Sequence, residues 1–478
     1  MSEALEAVRR HPRHVVLAAL VAGLQAGPFE PRLTVLLAVA AVVVAGRPVV
    51  ALLAAAAVLA GAAGGQARLA AVERTALGPL LGSTVEVRAV LLEQPHPVRY
   101  GATALVRLEA GEGERVMLRI GQSVAWPAAS TGAIMLVRGR LRPLGPFEQY
   151  YERRGAHAAI SVDAAVQTGQ RRGGAWEFVD RVRTRAETAL RVGLPPSQAA
   201  LLRGMVLGQD EALDKRTRDE FRASGLSHVL AASGANIALL LTLALPLLAW
   251  AGAGLRGRLV GALALIALYV PLAGAGPSIQ RAGVMGAATT VAALSGRPAS
   301  RWYALLLAAA VTLLVNPLAS GDPGWQLSFA AVVAIALIAP GLRAWLRTHR
   351  LPEALADAVA VTAAATLGTA PLIAFHFSQL SLASLPANLL AAPAIAPIMW
   401  LGFLSATLGQ LAPALAWPLN ALNAYPLAYV GWVAHASAGV PHASVPLALH
   451  GPRALGAVYA LLALAIALIR RLARRSRI

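Results

Sequence analysis

Cysteine is absent from this chain of 478 residues, so no disulfide, thiolate zinc site or iron–sulfur cluster can form. The redox state of its compartment therefore leaves no mark on the sequence. Lysine is nearly absent too: Lys215 is the single one, and every other member of the 42 basic residues is arginine. Acidic residues number 23, which leaves a formal net charge of +19. Charged residues together make up only 14% of the chain, against about 25% in an ordinary globular protein. That is too little to cover the surface of one soluble enzyme of this length. No Gly-x-x-x-x-Gly-Lys-Ser/Thr loop exists, and Lys215 stands in the wrong setting for one, so ATP hydrolysis by that route is excluded. What fills the chain instead is apolar: 57% hydrophobic residues, with 43 glycines besides. Disorder requires the opposite composition. The class is an integral membrane protein.

The expected fold is a polytopic α-helical membrane protein of about twelve spans with an inserted extracellular small β-barrel. Residues 1–65 hold N-terminal membrane segments, with apolar runs at Val15–Ala26, Leu33–Ala45 and Val49–Ala63 broken at Pro28, Pro31 and Pro48. Each run is shorter than the roughly 20 residues that span a bilayer comfortably, so they could be tilted or partly re-entrant. Arg9, Arg10 and Arg13 before the first run resemble a signal-peptide n-region, but a further apolar stretch follows at once, which reads as an anchor. Residues 66–170 alternate with period two and carry charges throughout. Residues 171–225 read as amphipathic linker helices, lying on the membrane surface or packed on the barrel. Residues 226–478 hold nine more apolar runs. Arginines recur on every second connecting loop there, at Arg256 and Arg258, at Arg297 and Arg301, at Arg343, Arg347 and Arg350, and in the tail. This is the positive-inside pattern, and it places both termini in the cytoplasm and the barrel outside. The turn near Pro413 carries no charge, so it gives the runs on either side no such support.

Five strands are expected in the insert, around Val85–Ala89, Leu105–Leu108, Val116–Ile120, Ile134–Leu141 and Ala158–Val162. Five short strands with a longer link before the last suit a small barrel such as the OB fold. Arg88, Arg99, Arg107, Arg119, Arg138, Arg140 and Arg142, with Tyr100 and Trp126, are the candidate single-strand nucleic-acid contacts. Phosphates would meet the guanidiniums and bases would stack on the rings. A solvated strand face would carry the same residues. Arginine's planar fork suits phosphate, although a GC-rich genome also favours arginine over lysine.

The motifs lie further on. Leu201-Leu202-Arg203-Gly204-Met205-Val206-Leu207-Gly208 is followed by Ser224-Gly225-Leu226-Ser227-His228 and Ala232-Ser233-Gly234-Ala235-Asn236. Then come Pro277-Ser278-Ile279-Gln280-Arg281-Ala282, Gln326-Leu327-Ser328-Phe329 and Asn388-Leu389-Leu390-Ala391-Ala392-Pro393. In order and spacing these blocks resemble the ComEC family of competence proteins, the inner-membrane channel for DNA uptake. Upstream, Gly145-Pro146-Phe147-Glu148-Gln149-Tyr150-Tyr151 is similar to the segment before the last strand of that family's OB domain. Two departures stand out. Many members have His where Asn236 stands. Many also end in a metallo-β-lactamase-like domain, whose His-x-His-x-Asp-His cluster none of the ten histidines here forms. The resemblance then implies that any nuclease is a separate polypeptide.

A polynucleotide carries one charge per phosphate, and ionisable residues inside spans are functional candidates by default. The channel candidates are His228, Arg281 and His376, with Ser233, Asn236, Gln326 and Asn388 as polar support. Ser278 could cap the helix that carries Arg281. Arg281 could instead snorkel to the interface, and His228 could be a packing residue. The expected function is a conduit for single-stranded DNA during natural transformation, with no catalytic residue, cofactor or metal. A membrane potential negative inside opposes each entering charge by about 2.3 kcal/mol per 100 mV. Import therefore implies a cytoplasmic ATP-driven motor, beside membrane lipid and an extracellular DNA receptor as partners. A transporter of an anionic small molecule or lipid is the first alternative. An intramembrane hydrolase built on Ser233 and His228 is the second, though it lacks an evident carboxylate.

Overall fold

The computed structural model describes residues 6, 9–98, 100–110, 113–296, 298 and 300–475. It opens with three helices, α1 (Pro12–Ala26), α2 (Pro31–Ala45) and α3 (Pro48–Glu73). Pro12, Pro31 and Pro48 occupy the first helical positions, where a missing N–H costs no hydrogen bond. Of the prolines read as breaks, Pro31 and Pro48 are starts. α1 and α3 press backbone to backbone: a Cβ on Gly23 would strike the backbone of Val58, and one on Gly61 the carbonyl of Leu20. Such close approach is what holds helices together where lipid supplies no hydrophobic drive.

The β-domain contains β1 (Thr84–Leu91), β2 (His96–Val98), β3 (Gly101–Leu108), β4 (Arg115–Ile120), β5 (Ala133–Arg142) and β6 (Ala156–Arg171). Five of these close into a ring in the order β1–β3–β4–β6–β5–β1, and β2 is a short arm on β3. The β4–β6 pairing is parallel and the others are antiparallel. Strand alternation fills the interior with Leu91, Val106, Leu118, Met135, Val137 and Ile160. All five expected strands are present. β6 extends well past its expected end because two neighbours hold it, β4 along its first part and β5 over most of its length. A short helix, α4 (Gln149–Arg153), places Tyr151 over Leu105, Met117 and Ala159 on the outside of the ring.

Four helices follow: α5 (Ala175–Ala189), α6 (Pro196–Leu207), α7 (Lys215–Ala223) and α8 (Ser227–Leu230). They differ from surface linkers. Residues 199–207 of α6 are all buried, within the same core as Ile237, Tyr269, Ile398 and Phe403. On α5 Trp176 is exposed, and the stripe through Asp180, Arg183, Ala186 and Glu187 faces inward. Asp180 is paired with Arg172 at 2.6 Å and Arg183 with Glu187 at 3.5 Å, which offsets the cost of burying these charges.

The remaining helices are α9 (Gly234–Trp250), α10 (Leu255–Leu272), α11 (Pro277–Leu294), α12 (Arg301–Val315), α13 (Pro323–Thr348), α14 (Glu353–Phe377), α15 (Ser384–Leu408), α16 (Trp417–Ala438) and α17 (Pro452–Arg475). By length and composition, α3, α10, α13, α14 and α15 can cross a membrane. Helices α1, α2, α9, α12 and α17 are apolar but offer shorter apolar stretches, so about twelve spans is a larger number than these criteria establish.

The connections sort to two ends. At one, His157 Nε2 meets the Val72 carbonyl at 2.5 Å, Asn316 Nδ2 donates to the Arg153 carbonyl at 2.6 Å, and Ser381 Oγ donates to the Ala223 carbonyl at 2.7 Å. At the other, Arg9 Nε donates to the Val44 carbonyl at 3.0 Å and His14 Nε2 meets Ser300 Oγ at 2.8 Å. α15 is the exception to simple alternation. It starts at Ser384 against Gly225, and just past its far end Gln410 donates to the Val182 carbonyl at 3.1 Å and accepts from Arg185 at 3.2 Å. α5 is itself tied to the barrel through Arg172 and Asp180 at 2.6 Å. Both ends of α15 therefore lie on the barrel side.

Candidate nucleic-acid interface

The arginines of the barrel differ in their partners. On β4, β6 and β5 the register sets Arg119 opposite Ser161, and Ser161 opposite Arg140, so the two guanidiniums flank one serine. Arg138 lies on the same outward row of β5, and Arg119 and Arg138 make no ion pair among the described residues. Arg140 donates to the Gly82 carbonyl at 3.1 Å. Arg142 grips Glu148 with both terminal nitrogens, at 2.5 and 2.8 Å. That bond, against the opposing effect of burial, holds the Glu148 carboxyl below its ordinary range. Glu148 also accepts from the Gly145 N–H at 2.7 Å, so this arginine is spent on the turn before α4.

Arg88 pairs with Glu109 at 2.9 Å and also bonds Gln170, and Arg107 lines a shallow cleft with Glu109 and Arg172. Tyr100 is 64% exposed. Trp126 packs against the barrel core, with its indole N–H buried and unpartnered among the described residues. Arg99 lies outside the described residues. Sequence reasoning passed over Tyr150 and Arg154. Arg154 bonds Glu93 at 2.6 Å and lies 5.3 Å from the Tyr150 ring centre, joining the loop after β1 to the loop after β5. Burial raises the Tyr151 phenol to about 12, which keeps it a neutral donor to Thr103 at 2.7 Å.

The loop after β5 docks on the helical domain. Arg153 donates to the Gly321 carbonyl at 2.5 Å, and Asn316 returns a bond to the Arg153 carbonyl. Directly below this contact Gln326 donates to the Ser320 carbonyl at 2.8 Å. That fixes its amide orientation, so its oxygen accepts from His376 Nε2 at 2.8 Å. Asp322 caps α13 through the Trp325 N–H at 3.1 Å.

Arg281 sits one turn into α11. It is 6% exposed, with its guanidinium packed among protein groups. Its Nε donates to Ser328 Oγ at 2.7 Å, the guanidinium lies 5.8 Å from the Phe329 ring centre, and a Cβ on Gly234 would press against its terminal nitrogen. No carboxylate pairs with it among the described residues. Ser278 does not cap α11, which starts from Gly276; its hydroxyl bonds Ser328 at 3.0 Å instead. Ser328, in the middle of this cluster, stands in the Gln326-Leu327-Ser328-Phe329 motif, but of that motif only Gln326 is a channel candidate in sequence.

The other candidates serve packing contacts. Asn236 donates to the Met205 carbonyl at 2.8 Å and to the Tyr269 hydroxyl at 3.1 Å, while Ser233 bonds Asn236 at 3.3 Å. Asn388 bonds back to the Ser384 carbonyl at 2.7 Å within α15. His228 is exposed and meets the Gly225 carbonyl at 3.3 Å. Arg281, Ser278, Ser328 and the start of α9 thus come together, with Gln326 and His376 close by on α13 and α14. His228 and Asn388 do not join them.

A closed five-strand barrel carried on apolar helices, five of them long and apolar enough to cross a membrane, defines a membrane protein with an inserted β-domain. The Competence family, described as competence protein, matches residues 205–472, more than half of the chain. The chain belongs to this ComEC family of competence proteins. It is 27% identical over 227 residues to ComE operon protein 3 of Bacillus subtilis (strain 168), covering 46% of this chain and 28% of that protein. It is 29% identical over 211 residues to the uncharacterized protein YcaI of Escherichia coli (strain K12), covering 41% and 27%. The aligned stretch spans little more than a quarter of each relative. No solved structure matches the chain.

Proposed function

We propose that the chain conducts single-stranded DNA across the cytoplasmic membrane during competence, with capture by the barrel and passage beside Arg281. The observation that carries this reading is the buried guanidinium of Arg281, held by Ser328 and an aromatic ring with no carboxylate paired to it among the described residues. A cation kept in apolar surroundings without a counterion is costly, and an anion passing by supplies the missing charge. The ring order of the barrel, with its parallel β4–β6 pair, supports an OB assignment. In that fold the ligand face is formed by the strands that are β3 and β4 here, together with the loops after β1 and β5. The loop after β5 stands on the helical domain above Gln326 and His376, so DNA held there would be delivered at the mouth. Chain termini in the cytoplasm, a motor, a receptor and a nuclease supplied by other proteins complete the proposal.

The test separates binding from passage. Arg281→Ala should leave DNA attached to cells while lowering nuclease-protected DNA by about ten- to a hundredfold, the effect of losing one charged hydrogen bond of roughly 1.5–3 kcal/mol. Arg281→Lys should retain part of the import, since it keeps the charge and loses the fork. Normal import in an Arg281→Ala strain with normal amounts of protein in the membrane removes Arg281 from the path.

A further inference from the structure

The barrel and the helical domain meet at a second place, where three side chains capable of binding metal converge. His96 of β2, and Asp210 and Glu211 of the turn between α6 and α7, offer one ligand atom each, all within 4.8 Å of one another. Glu211 bonds its own backbone and faces His96, with Arg183 near it. We propose that this is a divalent-metal site of the zinc type that ties the β2 arm to the helical domain.

Three observations support it. The donor set is one imidazole and two carboxylates, which suits a borderline metal that keeps one position for water. The backbone on both sides is held in place before any ion arrives. His96 stands between Pro95 and Pro97 and pairs in register with Thr103. Gly208 takes the left-handed conformation that ends α6, at φ +69°, and Arg218 bonds the carbonyls of Asp210 and Leu213 at 3.1 and 3.0 Å. Finally, the two carboxylates are adjacent and half-buried. Zinc ligands at about 2.0–2.2 Å from the metal lie roughly 3.4 Å apart in a tetrahedron, and side-chain rotation alone closes that difference. A metal here would link residues distant in sequence across the joint between capture and passage, without taking part in either.

The full chain, purified in detergent and stripped with a chelator, should retain about one zinc after dialysis against the ion. His96→Gln and Glu211→Gln should each lose it. Cobalt replacing zinc should give the visible bands of a four-coordinate nitrogen and oxygen site in the wild type and lose them in both variants. Zinc should also raise the unfolding temperature of the wild type and not that of the variants, whose own unfolding transitions show that they are folded. No retained zinc in the folded wild type overturns the proposal, as does retention unchanged by His96→Gln. The outcome is independent of Arg281, so its failure leaves the conduit reading intact.

Discussion

Arg142 and Arg281 are chemically identical and were both candidates in the sequence, yet their partners separate them. Arg142 is neutralised by Glu148 in a bidentate pair, whereas among the described residues Arg281 meets the Ser328 hydroxyl, a thioether and a ring and pairs with no carboxylate. Period-two alternation shows which strand residues face outward; it does not show which of them already have a counterion. For the same reason Trp126 could not be told from a stacking platform. Arg281 was legible because any cation at membrane depth is conspicuous, while Ser328 and Phe329 entered its surroundings only through helix packing. A prediction follows for the paired case. The folded Glu148 carboxyl titrates below the unfolded one, so its contribution is fully present above the ordinary carboxylate range. It is lost as pH falls through the lower, folded value. Glu148→Gln should therefore destabilise the barrel by about 1–3 kcal/mol at neutral pH. Denaturant titrations of wild type and variant should converge in acid; a constant gap at all pH values would mean that the charge is not what matters.

At the scale of elements, hydropathy located the helices because each apolar run has to be continuous, and prolines marked several of their starts. The strands were equally readable from alternation. What the local pattern could not contain was partnership. α6 is enclosed on all sides because α9, α10 and α15 surround it, and β2 exists only as an arm on β3. α15 has the length and apolarity of a span, but Gln410 at its far end bonds α5 next to the barrel. α16 returns the same way, from Trp417 against Gly193 to His435, which meets Glu220 at 2.9 Å. We expect α15 and α16 to form a hairpin that does not cross the bilayer. Removing two crossings leaves the arginine alternation of the other loops unchanged. The chain has no cysteine, so single cysteines can be labelled without background. Ala412→Cys should react with an impermeant maleimide from the same side as Ala110→Cys in the barrel, and not from the side of His349→Cys. Labelling together with His349→Cys would restore two full spans.

For the whole molecule the consequence lies in how the barrel stands on the helices. Its ligand face in the OB reading includes the loop that carries Arg153, and that loop is fastened to Gly321 and Asn316. Capture and passage would then share one joint, and the exposed row Arg119, Arg138 and Arg140 would supply the long-range attraction that leads DNA toward it. The barrel has its own closed core, so residues 74–174 provide a fragment in which attraction can be measured apart from passage. Its affinity for single-stranded DNA should be weak, indifferent to sequence and steeply reduced by salt, because neutralised phosphates release counterions. Each of Arg119→Ala and Arg138→Ala should lower the slope of log affinity against log salt by about one if the residue meets one phosphate. Arg88→Ala should change it less, since Glu109 already takes its charge. A slope that responds to Arg88 but not to Arg119 or Arg138 would place the phosphate contacts at the Arg88–Glu109 pair and not along the row of Arg119, Arg138 and Arg140. The role of Arg281 inside the helices would still stand on its own test.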